Sequence, residues 1–227
     1  MYDYGVQALH ALLVATYCRN AHDPRSFGFR MHRSTQDARQ YAYCCLGGKH
    51  SAKWVLEGDI KGCFDNINHD WLLENVPMDK STLKQFLKAG FVYNRHLNPT
   101  TAGTPQGGII SPILANMTLD GMEKAISSVY HVGKNGEIDK TRYNPHKVNF
   151  VRYADDFFVT ANSEETAMDL AELIKEFLME RGLELPEEKT HITHIDDGFD
   201  FLGWTNRQIH RKASDKAIQE IDWEYHP

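Results

Sequence analysis

The chain has 227 residues, 41% hydrophobic and 25% charged, with a net charge of −6 at neutral pH. That apolar content supports a buried core, in one large domain or two small lobes, and excludes a disordered chain. Four cysteines without a CxxC spacing exclude a zinc ribbon and indicate a reducing compartment; with no segment of membrane-spanning length, a cytoplasmic protein is expected.

The elements follow in chain order. The run ALHALLVATYC has no basic residue before it and is interrupted by His10, so it reads as an ordinary buried helix rather than a signal sequence. A second helix is expected over Ser34–Leu46, stopped by Gly47-Gly48. The stretch KWVLEGDI predicts a strand ending in Asp59. Short helices follow over Trp71–Val76, capped by Asn68 or Asp70, and over Lys80–Ala89. After the loop TTAGTPQGGIIS, Ser111 is the expected N-cap of a helix with Pro112 in its first turn. Residues 128–147 read as a loop or small hairpin.

Two strands, 148–153 and 157–161, then flank a tight turn at Asp155-Asp156. A long amphipathic helix follows, capped by Asn162 or Ser163, with Ala167, Leu170, Ile174 and Leu178 on one side. Short strands are expected at Leu183–Leu185, Ile192–Ile195 and Phe199–Trp204. Residues 205–227 read as a polar, poorly ordered tail. The order strand, helix, hairpin, helix, strand predicts a split βαβ antiparallel sheet with helices on one face, an α+β fold.

Charge is unevenly spread. Residues 1–62 carry eight Lys/Arg against five Asp/Glu, and residues 164–227 carry seven against sixteen. A mildly basic front is compatible with a local anion-binding face, although the overall sign argues against nucleic acid.

On its own, the Asp155-Asp156 pair reads as a turn former. Three features together point to chemistry. Asp59 ends another apolar strand, with Gly58 before it and Gly62 soon after. Neighbouring strands of such a sheet would gather Asp59 with Asp155, and like charges so gathered need a cation among them. Hard oxygen donors suit Mg²⁺, and two such ions form a clamp for in-line phosphoryl displacement. Lastly, the loop Gly103–Gly108 lies between these strands in sequence, and its glycines allow close approach of the backbone to a ligand.

In that order, these residues resemble reverse transcriptases of the group II intron-encoded (maturase) class. FVRYADDFFV resembles the catalytic hairpin of the polymerase palm, and VLEGDIKGCFDNINHDWLL the first acidic motif. GTPQGGIISPILANMTLDGMEK is similar to the template- and nucleotide-facing loop and helix, SFGFRMHRSTQDA to a fingers-proximal motif, and GLELPEEKTHI with FDFLGW to the last palm motifs. The resemblance implies a palm over residues 53–204, with fingers-like helices within 77–105. It also implies partial, mostly helical fingers over residues 1–52.

It further implies that Asp59 and Asp155 ligate two Mg²⁺ ions, replaceable by Mn²⁺. Ile60 would lend a carbonyl and Asp156 would stand close by. Phe64 would be the aromatic gate excluding a 2′-hydroxyl, and Gln106 and Gly107 would border the nascent base pair. Lys189 would assist the leaving pyrophosphate, Arg30 and Arg33 would contact triphosphate or template, and Gly203 and Trp204 would grip the primer. Without that context Phe64 reads as core, Lys189 as a solvated lysine, and both arginines as structural ion pairs.

The implied partners are RNA template, DNA primer, dNTPs and intron RNA, with no membrane; the oligomeric state is left open. Met31 stands where the class usually has proline. The longer N-terminal fingers and the helical thumb of the class find no counterpart. The expected function is therefore an RNA-directed DNA polymerase core. The alternative is a non-catalytic or split maturase fragment that binds intron RNA or assembles with separate fingers and thumb.

Overall fold

The computed structural model describes residues 2–18, 22–93, 96–98, 100–104, 107–133, 135–139, 144–213 and 216–225. In chain order the elements are α1 (Tyr2–Cys18), α2 (Thr35–Leu46), β1 (Trp54–Asp59), α3 (Cys63–Asn66), α4 (His69–Asn75) and α5 (Lys80–Leu87). There follow β2 (Phe91–Tyr93), β3 (His96–Asn98), α6 (Ser111–Leu119), α7 (Met122–Tyr130), β4 (Asn149–Tyr153), β5 (Asp156–Ala161) and α8 (Glu164–Met179). The last are β6 (Thr190–His194), β7 (Phe199–Phe201), β8 (Trp204–Ala213) and β9 (Lys216–Tyr225). They form two compact units, each discontinuous in sequence. The expected boundary near residue 52 falls inside the second unit, which takes in residues 24–60, 122–176 and 185–227.

The first unit, residues up to Asp23 with 61–121 and 177–184, is mainly helical. Asn68 caps α4 by accepting from the backbone N–H groups of Asp70 and Trp71, and Asp79 caps α5 through Thr82 N–H. Ser111 is not a cap. It is the buried first residue of α6, Ile110 precedes it without a side-chain bond, and Pro112 occupies the first turn. Nor is α1 buried all round. It packs Gln7, Ala11 and Val14 inward, whereas Leu9, Leu12, Leu13 and Tyr17 are 60–64% exposed. The helical spacing of Val6, Leu9, Leu13 and Tyr17 marks the helix but not its inner face, because apolar side chains stand on more than one side of it. Arg181 ties this unit together: Nε donates to Thr118 O at 2.9 Å, Nη1 to Phe177 O at 2.7 Å, and the guanidinium lies over the Phe177 ring.

The second unit is built on an antiparallel sheet of order β4-β5-β1-β6. Val55, Val151 and Phe158 point to one face. There they pack with Ala38, Ala42 and Leu46 of α2 and with Phe199 and Phe201 of β7. Helix α2 starts where Ser34 and Asp37 form a reciprocal capping box. On the opposite face Gly58 lies across from Phe157, where a Cβ would stand 2.6 Å from the ring carbon Cζ. Glycine at that position lets the phenyl ring lie flat across β1.

Two expectations fail here. Leu183–Leu185 is not a strand; extended chain leads instead into Pro186 and a 3-10 turn, Glu187–Lys189, that delivers β6. Of the expected tail over 205–227, the described residues 205–213 and 216–225 are not loose, since β8 and β9 pair along ten positions and extend the β7 hairpin into a three-stranded sheet. The alternation Ile221-Asp222-Trp223-Glu224-Tyr225 carries the period of two that the net polarity of the segment obscures.

On α2 itself, the Cys45 thiol is pushed up to about 12, chiefly by burial, and the Tyr41 hydroxyl likewise to about 12. Cys44, next in the chain, is an exposed free thiol. At pH 8 a thiol with pKa near 12 is ~10⁻⁴ ionised, so iodoacetamide should modify Cys44 first and Cys45 only on unfolding. Because both groups are held neutral, the stability they contribute is complete below about pH 9. It is lost as pH rises toward 12, so pH-dependent melting should show an alkaline decline that Cys45→Ala reduces. Equal labelling rates for the two thiols would refute the placement.

Candidate active site

The β1–β5 register makes Asp59 and Asp156 direct cross-strand partners at one end of the sheet, and Asp155 precedes Asp156 in the Tyr153–Asp156 turn. Facing like charges in a ladder are destabilising. Their effect shows in Asp156, whose carboxyl is pushed up to about 6, first by burial and then by Asp155 and Asp59. On the other side of β1, Thr190 pairs with Gly58, so Lys189, one residue earlier, falls beside Asp59. Its ammonium donates to Asp59 Oδ2. That bond, with the pull of Asp155 and Asp156, raises the lysine pKa and keeps it charged.

A cleft of about 340 Å³ opens at this corner, lined by Glu57, Asp59, Asp156, Lys189, Leu202 and Gly203 among others. Gly203 stands in the β7–β8 turn, where Leu202 at φ 56° and Gly203 at φ 77° are the two left-handed central residues of a type I′ hairpin. Trp204 follows, with the Arg39 guanidinium stacked 4.1 Å over its ring.

The structure thus brings Asp59, Asp155, Asp156 and Lys189 to one place, with Gly203 on the rim of the same cleft. Ile60 is next to Asp59, and its side chain is fully buried, which leaves only its backbone for any contact. Arg30 and Arg33 are turned to their own loop: Arg30 Nε donates to Ser26 Oγ at 3.1 Å, and Arg33 donates to the carbonyls of Pro24 and Ser26. Phe64 and Gly107 line a different cavity, about 410 Å³, within the first unit, together with Thr104 and Ser111. Gln106 lies outside the described residues.

Glu57 was not singled out by sequence. It shares the face of Asp59 two residues on, its carboxyl is raised chiefly by burial, and it accepts from Asp200 N–H at 3.3 Å. The signal was present: an acid at i−2 of Asp59 inside an apolar strand.

Among the described residues, no three His, Cys, Asp or Glu side chains gather in a geometry that could hold a metal ion. The chemistry of the acidic corner nevertheless fits a hard cation. It offers carboxylate oxygens only, and the positive charge on them is a lysine ammonium rather than a buried counter-charge.

An antiparallel sheet with helices packed on it and carboxylates facing across its central strands defines the class, a polymerase palm with helical fingers-type elements. Residues 3–206 match the family described as reverse transcriptase (RNA-dependent DNA polymerase), and the chain belongs to that family. It is 32% identical over 250 residues to the group II intron-encoded protein LtrA of Lactococcus lactis subsp. cremoris, covering 86% of this chain and 41% of LtrA. To protein YkfC of Escherichia coli K12 it is 29% identical, covering 83% of this chain and 56% of that one. The chain therefore spans about two fifths to just over half the length of these relatives. A solved telomerase from Candida tropicalis, in complex with a TWJ fragment of telomeric RNA, shares the fold with a TM-score of 0.60 at 14% identity over 88% of this chain and 35% of that one. Family membership implies divalent-metal dependence in general. Among the described residues, no helix is long and apolar enough to cross a membrane.

Proposed function

We propose that this chain is an RNA-directed DNA polymerase core of the group II intron type, adding dNTPs to a DNA primer on an RNA template. The observation that carries this reading is the convergence of Asp59 and Asp155-Asp156 from strands far apart in sequence, with Lys189 seated on them. Asp59 and Asp155 hold the divalent ions, with the Ile60 carbonyl and Asp156 beside them. Two bound Mg²⁺ ions, or Mn²⁺ in their place, would polarise the primer 3′-hydroxyl and offset charge on the transferred phosphoryl group.

The remaining work belongs to side chains of this chain. Lys189 is held protonated and carries the charge and proton that suit a departing pyrophosphate. The Leu202-Gly203 turn and Trp204 support the primer strand. Phe64 limits the nucleotide to deoxyribose, and Gln106 and Gly107 border the new base pair. Among the described residues nothing lies within 4 Å of where a Cβ at Gly107 would be, so its backbone is open to a ligand. Arg30 and Arg33 lie upstream of these groups and support template or triphosphate binding through their loop. Intron RNA is a further partner, and reduced thiols at Cys44, Cys45 and Cys63 accord with a cytoplasmic setting.

The test is extension of a DNA primer annealed to RNA, with dNTPs and either Mg²⁺ or Mn²⁺. Incorporation that EDTA abolishes is expected, and Lys189→Met should lower its rate about 10–100-fold with little change in primer affinity. No incorporation with either ion, alongside tight binding of intron RNA, would replace the polymerase reading with that of a maturase fragment.

A further inference from the structure

The turn that presents Asp155 and Asp156 is held in a conformation that its own residues do not favour. Ala154, its first central residue, has φ 58°. A residue with a Cβ loses about 1–2 kcal/mol there, and glycine is the usual occupant. Something outside the turn must hold it.

Two groups do so. Arg152 on β4 is fully buried, and its Nη1 donates to the Ala154 carbonyl at 2.9 Å. A guanidinium stays charged at any working pH, so this is a charge-assisted bond in a dry environment. The second group is the Arg25–Arg33 loop, which meets β4 at a single parallel bridge centred on Arg152. Arg152 N–H donates to Arg25 O at 3.0 Å, Phe27 N–H donates to Arg152 O at 2.8 Å, and Ser26 bridges Arg152 in parallel. The next residue, Gly28, rests on the turn itself. A Cβ there would lie 2.9 Å from Ala154 Cα, closer than real contacts allow, and would also overlap the Ala154 nitrogen. Arg30 and Arg33 brace this loop from within, through Ser26 and with the Arg33 guanidinium 5.0 Å over the Phe27 ring.

We infer that Arg152 and Gly28 are positioning residues for the acidic turn: a buried guanidinium holds it from one side, and the backbone of the 25–33 loop presses on it from the other. Neither touches a reacting atom. They set where the Asp155 carboxylate points, and a misplacement of about 1 Å at such a site costs on the order of 10²-fold in rate. The inference rests on the polymerase reading for its kinetic consequence, but not for its structural one.

The experiment compares wild type, Arg152→Met, Arg152→Lys and Gly28→Ala by amide hydrogen exchange and by primer extension. Exchange over residues 153–157 should rise at least about tenfold in Arg152→Met and in Gly28→Ala, while β1 and β6 stay protected. Turnover should fall roughly 10–100-fold with KM for dNTP within about twofold, and Arg152→Lys should recover part of the loss. Unchanged exchange at the turn overturns the inference, as does faster exchange with normal turnover. If Arg152→Met fails to fold, Gly28→Ala decides. If wild type itself does not extend primers, the polymerase reading fails, and the exchange data alone still judge the clamp.

Discussion

Asp155→Asn should lower RNA-templated incorporation by at least about 10³-fold, roughly 4 kcal/mol in the barrier, with the melting temperature within a few degrees of wild type. The amide keeps the size of the carboxylate and is as good a turn former, so the Tyr153–Asp156 turn persists. What disappears is a formal charge at the point where divalent ions must be held. Asp156→Asn separates the two roles of the cluster. It removes a carboxylate whose ionised form is opposed by burial and by Asp155 and Asp59. In EDTA at neutral pH that substitution should stabilise the protein by about 1 kcal/mol, a figure discounted for partial exposure, while still reducing turnover. Primer extension and thermal melting read the two effects. Equal incorporation by Asp155→Asn and wild type would remove the carboxylate mechanism altogether.

Phe158→Ala should cost 3–5 kcal/mol, about 10 °C in melting temperature for a chain of this size. Phe158 is fully buried in the centre of β5, with ring centroids 5.2 Å from Phe199 and 4.9 Å from Phe201. Truncation leaves a void beneath both, and the β7–β8 turn bordering the acidic cleft loses its seat. The variant should therefore weaken primer binding before it unfolds, whereas Phe158→Leu, nearer in volume, should cost less than half as much. A loss under about 1 kcal/mol in urea denaturation would show that β7 is not anchored on this core.

How far the sequence spoke depended on the kind of signal. The gathering of Asp59 with the Asp155-Asp156 pair was legible because an acid at the end of an apolar strand contradicts its surroundings and calls for a partner. The helix starts at Ser34, Asn68 and Ser163 were legible in the same way, through short-range grammar; Ser163 accepts from Thr166 N–H at 3.2 Å. Ser111 was misread because burial overrode its capping preference. Lys189 rested on family resemblance alone, since nothing local tells that the β6 register will set it against Asp59. Arg152 was invisible: an arginine in a strand reads as an outward-facing residue, yet this one is fully buried, and the 25–33 loop bridges its backbone. The β8–β9 ribbon was passed over because composition was weighed ahead of alternation.

The placement of β1 bears on how the chain is made. It lies in the middle of its sheet, yet both of its neighbours, β5 and β6, are encoded roughly a hundred residues or more downstream. At ~5–20 residues per second on the ribosome, Trp54–Asp59 waits on the order of 5–20 s with two bare hydrogen-bonding edges and an apolar face. Closing loops of that length slows folding more than it lowers final stability. Yield of this protein should therefore track chaperone supply and translation speed more closely than its equilibrium melting point.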